Sequence, residues 1–371
     1  MARHLTTIVA TGGPCSGKSS LSALRQRLEA HGLHVLIVPE IATELFMSGV
    51  KVGNGRLTTF QLQEHILRMQ IAKEDIYRDI ALADPTPQKV LIFERGILDS
   101  DAYLEPMQFE EIISGMGHSL VEMRDARYDG VFHLVTAAIG AEEHYTTANN
   151  PTRKETPEEA IMRDIRTRNA WIGHPHLRII DNSTPFKEKI DRLAFAIERL
   201  IGIPESLEIE KKYLVQRPDT DKLVREFGAV PILIEQAYVA NDSGERVRIR
   251  KRGQDGSFVY YATFKQRMGN GVAREEEERI PQKTYDFELA HNRDMAYEIV
   301  RKIRYCFLWE HQYFELDVFR NPESARNTTL MEIELEEIDQ NVILPTFIDV
   351  IEDVTTDYRY ANSSIAKGSL I

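Results

Sequence analysis

Residues 12 to 19 read Gly12-Gly13-Pro14-Cys15-Ser16-Gly17-Lys18-Ser19, which is the spacing of a phosphate-binding P-loop. This stretch follows the apolar run Thr7-Ile8-Val9-Ala10 and precedes a helical pattern that begins at Leu21. In such a strand, loop and helix, backbone N–H groups bind phosphates, Lys18 reaches the outer phosphates, and the Ser19 hydroxyl suits Mg²⁺. We therefore predict a nucleotide site over residues 12 to 20, with Ser20 as its last member.

The first 200 residues alternate apolar runs with helical segments, which is typical of a parallel α/β sheet. Thr156-Pro157-Glu158-Glu159 combines an N-cap, a first-turn proline and a capping-box glutamate, so we predict a helix from there to about Trp171. The buried strands are predicted at 5–11, 35–39, 89–93, 130–135 and 177–181.

Beyond residue 205 the pattern changes to period-2 alternation, which favours an antiparallel β domain. A chain of 371 residues is also long for a single hydrophobic core. We expect a P-loop domain over 1–200, an antiparallel β-barrel domain with helices over 205–353, and a C-terminal tail over 354–371.

Composition narrows the function classes. The formal net charge of −12 argues against general nucleic-acid affinity, which requires a basic surface. The sequence has no apolar stretch of membrane-spanning length and no secretory core, so we expect a cytoplasmic protein, with peripheral membrane contact left open. Its 2 cysteines cannot build a disulfide framework.

Three acids lie near the predicted carboxyl edge of the first sheet, where such sheets bind ligands. Glu40 follows the second strand and could take a proton from a substrate hydroxyl, or it is an exposed loop acid. Glu94 ends the third strand, with Asp99 soon after, and an acid there suits the second shell of Mg²⁺. Arg95 beside Glu94 suits phosphate.

Arginines surround the predicted helix that starts at Thr156. They are either solvated surface residues or members of a mobile lid that brings arginine over a triphosphate. Arg153 is the preferred lid residue because it precedes the helix. The others are Arg163, Arg166 and Arg168.

Charged residues alternate with apolar ones in four runs of the second domain. One such strand is most simply a surface strand, but four could close into a barrel with the charges inside. Buried charges of both signs need pairing, and a metal ion that bridges carboxylates to a polyphosphate would neutralise them together. The four sets are Glu208/Glu210/Lys212, Arg246/Arg248/Arg250, Thr263/Lys265/Arg267 and Glu332/Glu334/Glu336.

The first 200 residues resemble the P-loop domain shared by NadR-type ribosylnicotinamide kinases and the TRPL-translocation-defect trafficking proteins. The resemblance rests on the P-loop, Pro39-Glu40, Glu94-Arg95-Gly96 with Asp99, and the stretch from His174-Pro175 to Asp181-Asn182. That family often has aspartate where this chain has Glu94. The guanine signature of Ras-like proteins is absent, which leaves ATP and GTP both open as the ligand.

Residues 205 to 350 resemble the CYTH or triphosphate-tunnel family, whose opening signature Glu-x-Glu-x-Lys is matched by Glu208, Glu210 and Lys212. The resemblance implies phosphate binding by Lys212, Arg248, Arg250, Lys265, Lys302 and Arg304. It also implies that Mg²⁺ or Mn²⁺ is held by Glu208, Glu210, Glu276, Glu278, Glu332 and Glu334. The run Glu275 to Glu278 leaves the strand register there open.

The two modules in this order are most similar to the TRPL-translocation-defect family. That resemblance implies a nucleotide-binding protein whose second domain binds a polyphosphate, a nucleotide or a phosphoinositide headgroup, in a regulatory role in trafficking. The alternative is an enzyme, either a small-metabolite kinase at the P-loop, a metal-dependent triphosphatase at the second site, or both. A family label alone does not choose between them, because tunnel domains include triphosphatases, cyclases and non-catalytic binders.

Overall fold

A computed structural model describes residues 5–17, 21–145, 156–203, 207–240, 246–269, 272–337 and 339–368. For 207–208, 246, 265–269 and 272–276 it describes the backbone alone. The chain divides into two compact units, Met1–Ile201 and Gly202–Ile371. In the described residues no helix combines the length and the apolar composition that crossing a bilayer requires.

The first unit is built on a five-stranded parallel sheet, which confirms the predicted α/β architecture. The sheet order is β2-β3-β1-β4-β5, and the strands are mostly buried apolar runs, as expected when helices cover both faces. The P-loop follows the central strand, where ligands bind in open parallel sheets. The strands are β1 (Leu5–Gly12), β2 (His34–Val38), β3 (Lys89–Glu94), β4 (Gly130–Leu134) and β5 (Leu177–Ile180).

Helices connect these strands, and a 3₁₀ helix, Ile97–Tyr103, follows β3. The helix predicted after Thr156 is confirmed, because Thr156 and Glu159 form a capping box and Pro157 is the first helical residue. The helices are α1 (Leu21–Glu29), α2 (Ile41–Met47), α3 (Thr59–Ala83), α4 (Gln108–Gly115), α5 (Pro157–Ala170) and α6 (Phe186–Leu200).

The second unit contains a nine-stranded antiparallel sheet in its described residues, which confirms the predicted change of class. The order is β10-β9-β8-β7-β11-β12-β13-β6-β14, and β10 also pairs with β6 through Val272↔Ile209, Ala273↔Glu208 and Arg274↔Leu207. The strands are β6 (Leu207–Val215), β7 (Val230–Ala240), β8 (Arg246–Gln254), β9 (Ser257–Gly269), β10 (Val272–Arg279), β11 (Val300–Trp309), β12 (Gln312–Asn321), β13 (Thr329–Leu335) and β14 (Val350–Asp353).

Two helices of this unit, α7 (Thr220–Phe227) and α8 (Gln282–His291), cover one face of the sheet. Leu223 of α7 packs with Phe307 and Phe314, and Tyr285 of α8 packs with Ile249. This apolar face leaves the charged side chains of the same strands on the opposite face, as period-2 alternation requires.

The segment expected to be a C-terminal tail is instead packed, over residues 354–368. Val354, Ile365 and Ala366 are buried against apolar side chains of the sheet, with Ile365 in the short helix α9 (Asn362–Ile365). The apolar residues of this segment therefore belong to one cluster of the folded unit.

Candidate functional site

The backbone conformation of the P-loop depends on its glycines. A Cβ on Gly12 would lie 2.1 Å from the Leu134 carbonyl oxygen, and the φ of Gly12 is +147°. Gly17 also has a positive φ, +98°. Only glycine adopts such a backbone without strain at these close approaches. Lys18, Ser19 and Ser20 lie outside the described residues, so their predicted roles stay predictions.

The main chain of the P-loop is bonded to the protein interior. The Gly13 N–H donates to Asp164 Oδ1 at 2.8 Å, and Thr136 Oγ1 donates to the Pro14 carbonyl. The Ala137 N–H donates to the Cys15 carbonyl at 3.1 Å. Gly13 was expected among the phosphate-binding residues, but its N–H is directed at a buried carboxylate. It therefore contributes through loop conformation.

The acids at the carboxyl edge are joined by Arg95. Its Nε donates to Glu40 Oε1 at 3.1 Å and its Nη1 to Asp99 Oδ2 at 3.3 Å. Burial lowers the pKa of Arg95, but the charges of Tyr103, Glu40 and Asp99 outweigh that effect and raise it above its usual value. Arg95 is therefore a permanent cation at the end of β3.

Asp99 and Glu40 differ in how far their side chains are exposed to solvent. Asp99 is buried and also accepts hydrogen bonds from Thr11 Oγ1 at 2.6 Å and Trp171 Nε1 at 2.7 Å. Both its oxygens are occupied by protein donors, so it supports Arg95. Glu40 accepts from Thr43 Oγ1 at 2.7 Å, but its side chain is 24% exposed.

Glu94 is the last residue of β3 and is aligned with Ala10 of β1. It lines a small pocket with Pro39, Lys73 and Arg95, among others, at the carboxyl ends of β2 and β3. The structure thus places Glu40, Glu94 and Arg95 together, as expected from their positions after adjacent strands.

Two of the arginines predicted around the helix that starts at Thr156 donate hydrogen bonds to main-chain carbonyls of the segment after β3. Arg163 donates to the Ala102 carbonyl and stacks over the Tyr103 ring at 4.0 Å, and Arg166 donates to the Leu104 carbonyl. These contacts join α5 to the segment that follows β3. Arg168 is partly buried, which lowers its pKa, while the charge of Asp164 opposes that effect. The preferred lid residue, Arg153, lies outside the described residues.

In the second unit, the charged face is the strand face that carries Lys212, Arg304, Asp317 and Glu332. Arg304 Nε and Nη2 each donate to Asp317 at 2.7 Å, and Nη2 also donates to Glu332 at 2.9 Å. Lys212 Nζ lies 2.8 Å from Glu332, and Lys302 Nζ contacts Asp317. Two strands, β6 and β11, therefore supply three predicted phosphate-binding cations to one ion-pair network, and β12 and β13 supply its carboxylates.

Glu332, which was predicted to hold metal, is a counter-ion of Lys212 and Arg304 in this structure. Burial raises its pKa, but Lys212, Arg304 and Lys302 more than offset this and hold it well below the usual range. Glu315, on the same face, has its pKa raised by burial despite the contact with Arg304. Two carboxylates of one network are therefore shifted in opposite directions.

Asp317 and Glu315 were missed in the sequence. They alternate with Phe314, Leu316 and Val318 in the same period-2 pattern as the four runs singled out, so the signal was present. Asp317 is fully buried opposite Arg304 in the β11–β12 register.

The register of β10 determines on which face each of its glutamates lies. Glu277 is aligned with Thr263 and accepts from Arg250 Nη2 at 2.5 Å and from Thr263 Oγ1 at 3.0 Å. Glu276 and Glu278 are aligned with Phe264 and Ala262, which places both residues on the opposite face. The pairing of β10 with β9 decides this, because a shift of one residue reverses the face.

Arg248 lies in the same part of the charged face, with Nη2 3.4 Å from Thr263 Oγ1. The side chains of two other predicted residues, Lys265 and Glu208, lie outside the described set. The backbone of Lys265 is aligned with Glu275, and that of Glu208 with Ala273.

Glu210 and Glu334 are directly opposite each other in the β6–β13 register, on the charged face. Like charges in this position are unfavourable, and a hard cation that accepts carboxylate oxygens would relieve the repulsion. This donor set therefore fits Mg²⁺ or Mn²⁺. Among the side chains that the structure describes, no three His, Cys, Asp or Glu groups have already converged as a metal site.

One end of the charged face is apolar. Tyr238, Phe319 and Leu330 share it with the ion pairs and pack against Ile365 of the C-terminal segment. Lys302, aligned with Phe319, also donates to Asn362 Oδ1 of that segment at 3.3 Å. The C-terminal residues thus form the boundary of the ion-pair network at the apolar end of the charged face.

Comparison with known proteins identifies the same two modules in the chain. Residues 7–189 match the protein family described as AAA domain. The C-terminal region is 28% identical over 167 residues to an inorganic triphosphatase of Acetivibrio thermocellus, covering 43% of this chain and 93% of that protein.

Two solved structures are similar to the C-terminal region of this chain. An inorganic triphosphatase is 27% identical, with 43% of this chain and 94% of that chain covered and a TM-score of 0.30. A putative adenylyl cyclase from Hippeastrum, described as having a dominant triphosphatase activity, is 19% identical, with 35% and 80% covered and a TM-score of 0.26. The chain therefore joins an AAA-type P-loop domain to a C-terminal region similar in sequence to inorganic triphosphatases.

Proposed function

We propose that the C-terminal unit is a metal-dependent triphosphatase and that the N-terminal unit binds ATP or GTP at the P-loop. The observation that carries the first part is the convergence of Lys212, Lys302 and Arg304 on one strand face. A triphosphate chain presents several anionic oxygens, and a row of fixed cations is the arrangement that binds it. The similarity to an inorganic triphosphatase supports the same substrate class.

The pairing of β10 with β6 supports a tunnel. It links the two ends of the run from β10 to β6, so we infer that these strands close around the charged face. Inside such a ring, the cations have counter-ions while no ligand is bound, which keeps the cost of burying them tolerable.

In this proposal each group has a distinct role. Lys212, Arg248, Arg250, Lys302 and Arg304 bind and orient the phosphate chain, and Asp317 holds Lys302 and Arg304 in place. Glu210 and Glu334, with Glu208, are the residues that would hold Mg²⁺ or Mn²⁺. When bound, such an ion would neutralise charge on the phosphate under attack. Hydrolysis breaks the terminal P–O–P bond with water as the nucleophile.

Two double variants test whether the cations bind phosphate and the glutamates hold the metal ion. Arg248→Ala with Arg250→Ala should weaken tripolyphosphate binding by about 100-fold even without metal, because two charge-assisted contacts are lost. Glu210→Gln with Glu334→Gln should chiefly remove the enhancement of hydrolysis by Mg²⁺ or Mn²⁺. Calorimetry and phosphate release are measured in a Lys18→Ala background, which removes the contribution of the P-loop.

Lys251→Ala is the control for the arginine pair, because Lys251 follows Arg250 on β8 and its ammonium lies 4.1 Å from the Phe258 ring centroid, on the other face of the strand. Wild-type behaviour in both double variants would exclude the charged face as the site. Tight binding with hydrolysis at background level would favour the binding-module alternative, with a phosphoinositide headgroup as one ligand and a regulatory trafficking role.

A kinase at the P-loop is the second candidate, favoured by the partly exposed Glu40 beside the pocket that Glu94 and Arg95 line. If Glu40 is the general base, Glu40→Gln should lower phosphoryl transfer to a hydroxylated acceptor by about 100-fold or more and leave ATP affinity unchanged. Transfer of γ-phosphate from ATP to nucleosides is the assay. Glu44→Gln is the control, since Glu44 is 44% exposed and pairs with Lys73.

Under the same hypothesis, Arg153→Ala should reduce turnover more than ATP binding, because a lid arginine acts on the transition state. Equal and small effects of the Glu40, Glu44 and Arg153 changes would remove the kinase candidate.

A further inference from the structure

Lys189 of α6 is a buried lysine whose ammonium is bonded to the P-loop. Its side chain donates to the Ser16 carbonyl at 3.2 Å, to the Val135 carbonyl at 2.7 Å and to Asn182 Oδ1 at 2.7 Å. An ammonium has three protons, and all three have an acceptor. Lys189 is only 2% exposed, so no water competes for these contacts.

Asp164 of α5 holds the other end of the same loop. Its Oδ1 accepts from the Gly13 N–H at 2.8 Å and from the Thr136 N–H at 2.9 Å, and its Oδ2 lies 3.1 Å from His133 Nε2. Asp164 and His133 are both fully buried. A Cβ on Gly13 would lie 2.7 Å from the Asp164 side chain, which shows how closely the loop and the carboxylate approach.

The loop that follows β4 connects these two anchors. Val135 and Thr136 are bonded to Lys189 and Asp164 respectively. Asn182, which accepts from Lys189, donates to the Thr136 carbonyl at 2.8 Å and to the Ile139 carbonyl at 2.6 Å. The P-loop, the loop after β4 and Asn182 are therefore one hydrogen-bonded assembly with a charged residue at each side.

We propose that Lys189 and Asp164 are positioning residues that hold the P-loop main chain in its phosphate-binding conformation, and that the Lys189 charge adds to the affinity of the loop for anions. The proposal rests on nucleotide binding at the P-loop. It assigns Lys189 a place behind the loop, where its ammonium acts on phosphate through the Ser16 peptide and through its field.

The charged neighbours of Lys189 decide how this site responds to pH. Burial lowers the pKa of Lys189 to about 8, with Asp164 on α5 opposing, Arg192 on α6 adding to the decrease, and Asp181 after β5 opposing. Bound phosphate favours the charged ammonium, so nucleotide affinity should fall as pH rises through this value.

Stability should change in the opposite direction. Between pH 8 and 10.5, the ordinary pKa of a lysine, the unfolded chain holds this proton more often than the folded one, so the contribution of this group to stability rises with pH. A residue with a purely structural role would not lower nucleotide affinity while stability rises.

The test is ATP binding by calorimetry to the full chain with Lys189→Met and with Lys187→Met. Lys187 lies on the same helix, has a side chain that is 89% exposed, and pairs with Asp191, so its loss removes the same charge from the surface. Lys189→Met should bind ATP about tenfold more weakly, and Lys187→Met as wild type does. Lys189→Gln keeps two hydrogen-bond donors without the charge, so its ATP affinity should lie between those of Lys189→Met and Lys187→Met.

The wild-type protein supplies a measurement that does not depend on any variant folding. Its ATP affinity should decrease between pH 7.5 and pH 9 in a Tris-free buffer series corrected for buffer ionisation. Equal ATP affinity in the Lys189 and Lys187 variants, or a flat wild-type pH profile, would overturn the inference. Absence of ATP binding by wild type at every pH would instead refute the proposed nucleotide site.

Discussion

Arg304→Met should abolish tripolyphosphate hydrolysis and lower the free energy of unfolding of the C-terminal unit by about 3–5 kcal/mol. Arg304 makes two 2.7 Å contacts with Asp317 and one of 2.9 Å with Glu332. Methionine fills similar space without charge, so it leaves two buried carboxylates with less compensation. The expected loss of activity has a separate cause, because Arg304 is also a predicted phosphate ligand.

Arg301→Met is the matched control on the same strand. Arg301 points to the other side of β11, is 54% exposed and pairs with Glu235 at 2.7 Å. Such an exposed pair contributes about 0–1 kcal/mol. Denaturant unfolding, hydrogen exchange of the β11–β13 amides and phosphate release together separate stability from activity. If the two variants matched each other in all three measurements, the ion-pair network would be neither a stabilising element nor a site.

Lys18→Ala should weaken nucleotide binding by about 1.5–3 kcal/mol, or roughly 10-fold to 150-fold, because a charge-assisted contact to the outer phosphates is removed. Calorimetry with ATP and with GTP measures the effect and also shows which base is preferred. Tripolyphosphate hydrolysis by the C-terminal unit should be retained, which reports that the variant is folded.

Arg25→Ala is the control for this variant, since Arg25 is on α1, 47% exposed, and pairs with Glu29. Both variants should retain wild-type thermal stability. Unchanged ATP and GTP affinity in folded Lys18→Ala protein would contradict the P-loop assignment, whatever the second unit does.

The sequence alone was sufficient for the classes of both units and for the local elements that carry the first site. The strand before Gly12, the helix that starts at Thr156 and the alternation around Glu210 are set by burial period and capping, which act within a few residues. The alternation predicted that Lys212 lies on a charged face, and the resemblance to the triphosphate-tunnel family implied Lys302 and Arg304; the structure brings all three into one ion-pair network.

Other features depended on which distant segments become neighbours. The contact of Gly13 with Asp164 joins residues 151 positions apart, and that of Ser16 with Lys189 joins residues 173 apart. Nothing in the local pattern around Lys189 distinguishes it from an ordinary helix lysine such as Lys187.

By itself, the sequence determined the phosphate-binding loop, the parallel sheet and the charged strand face, because each follows from short-range periodicity. Only the tertiary structure decided that Glu277 and not its neighbours belongs to that face, that Asp317 completes the network, and that residues 354–368 pack against it. The reason is that strand register and the packing of helices around a loop are set by contacts between segments far apart in the chain.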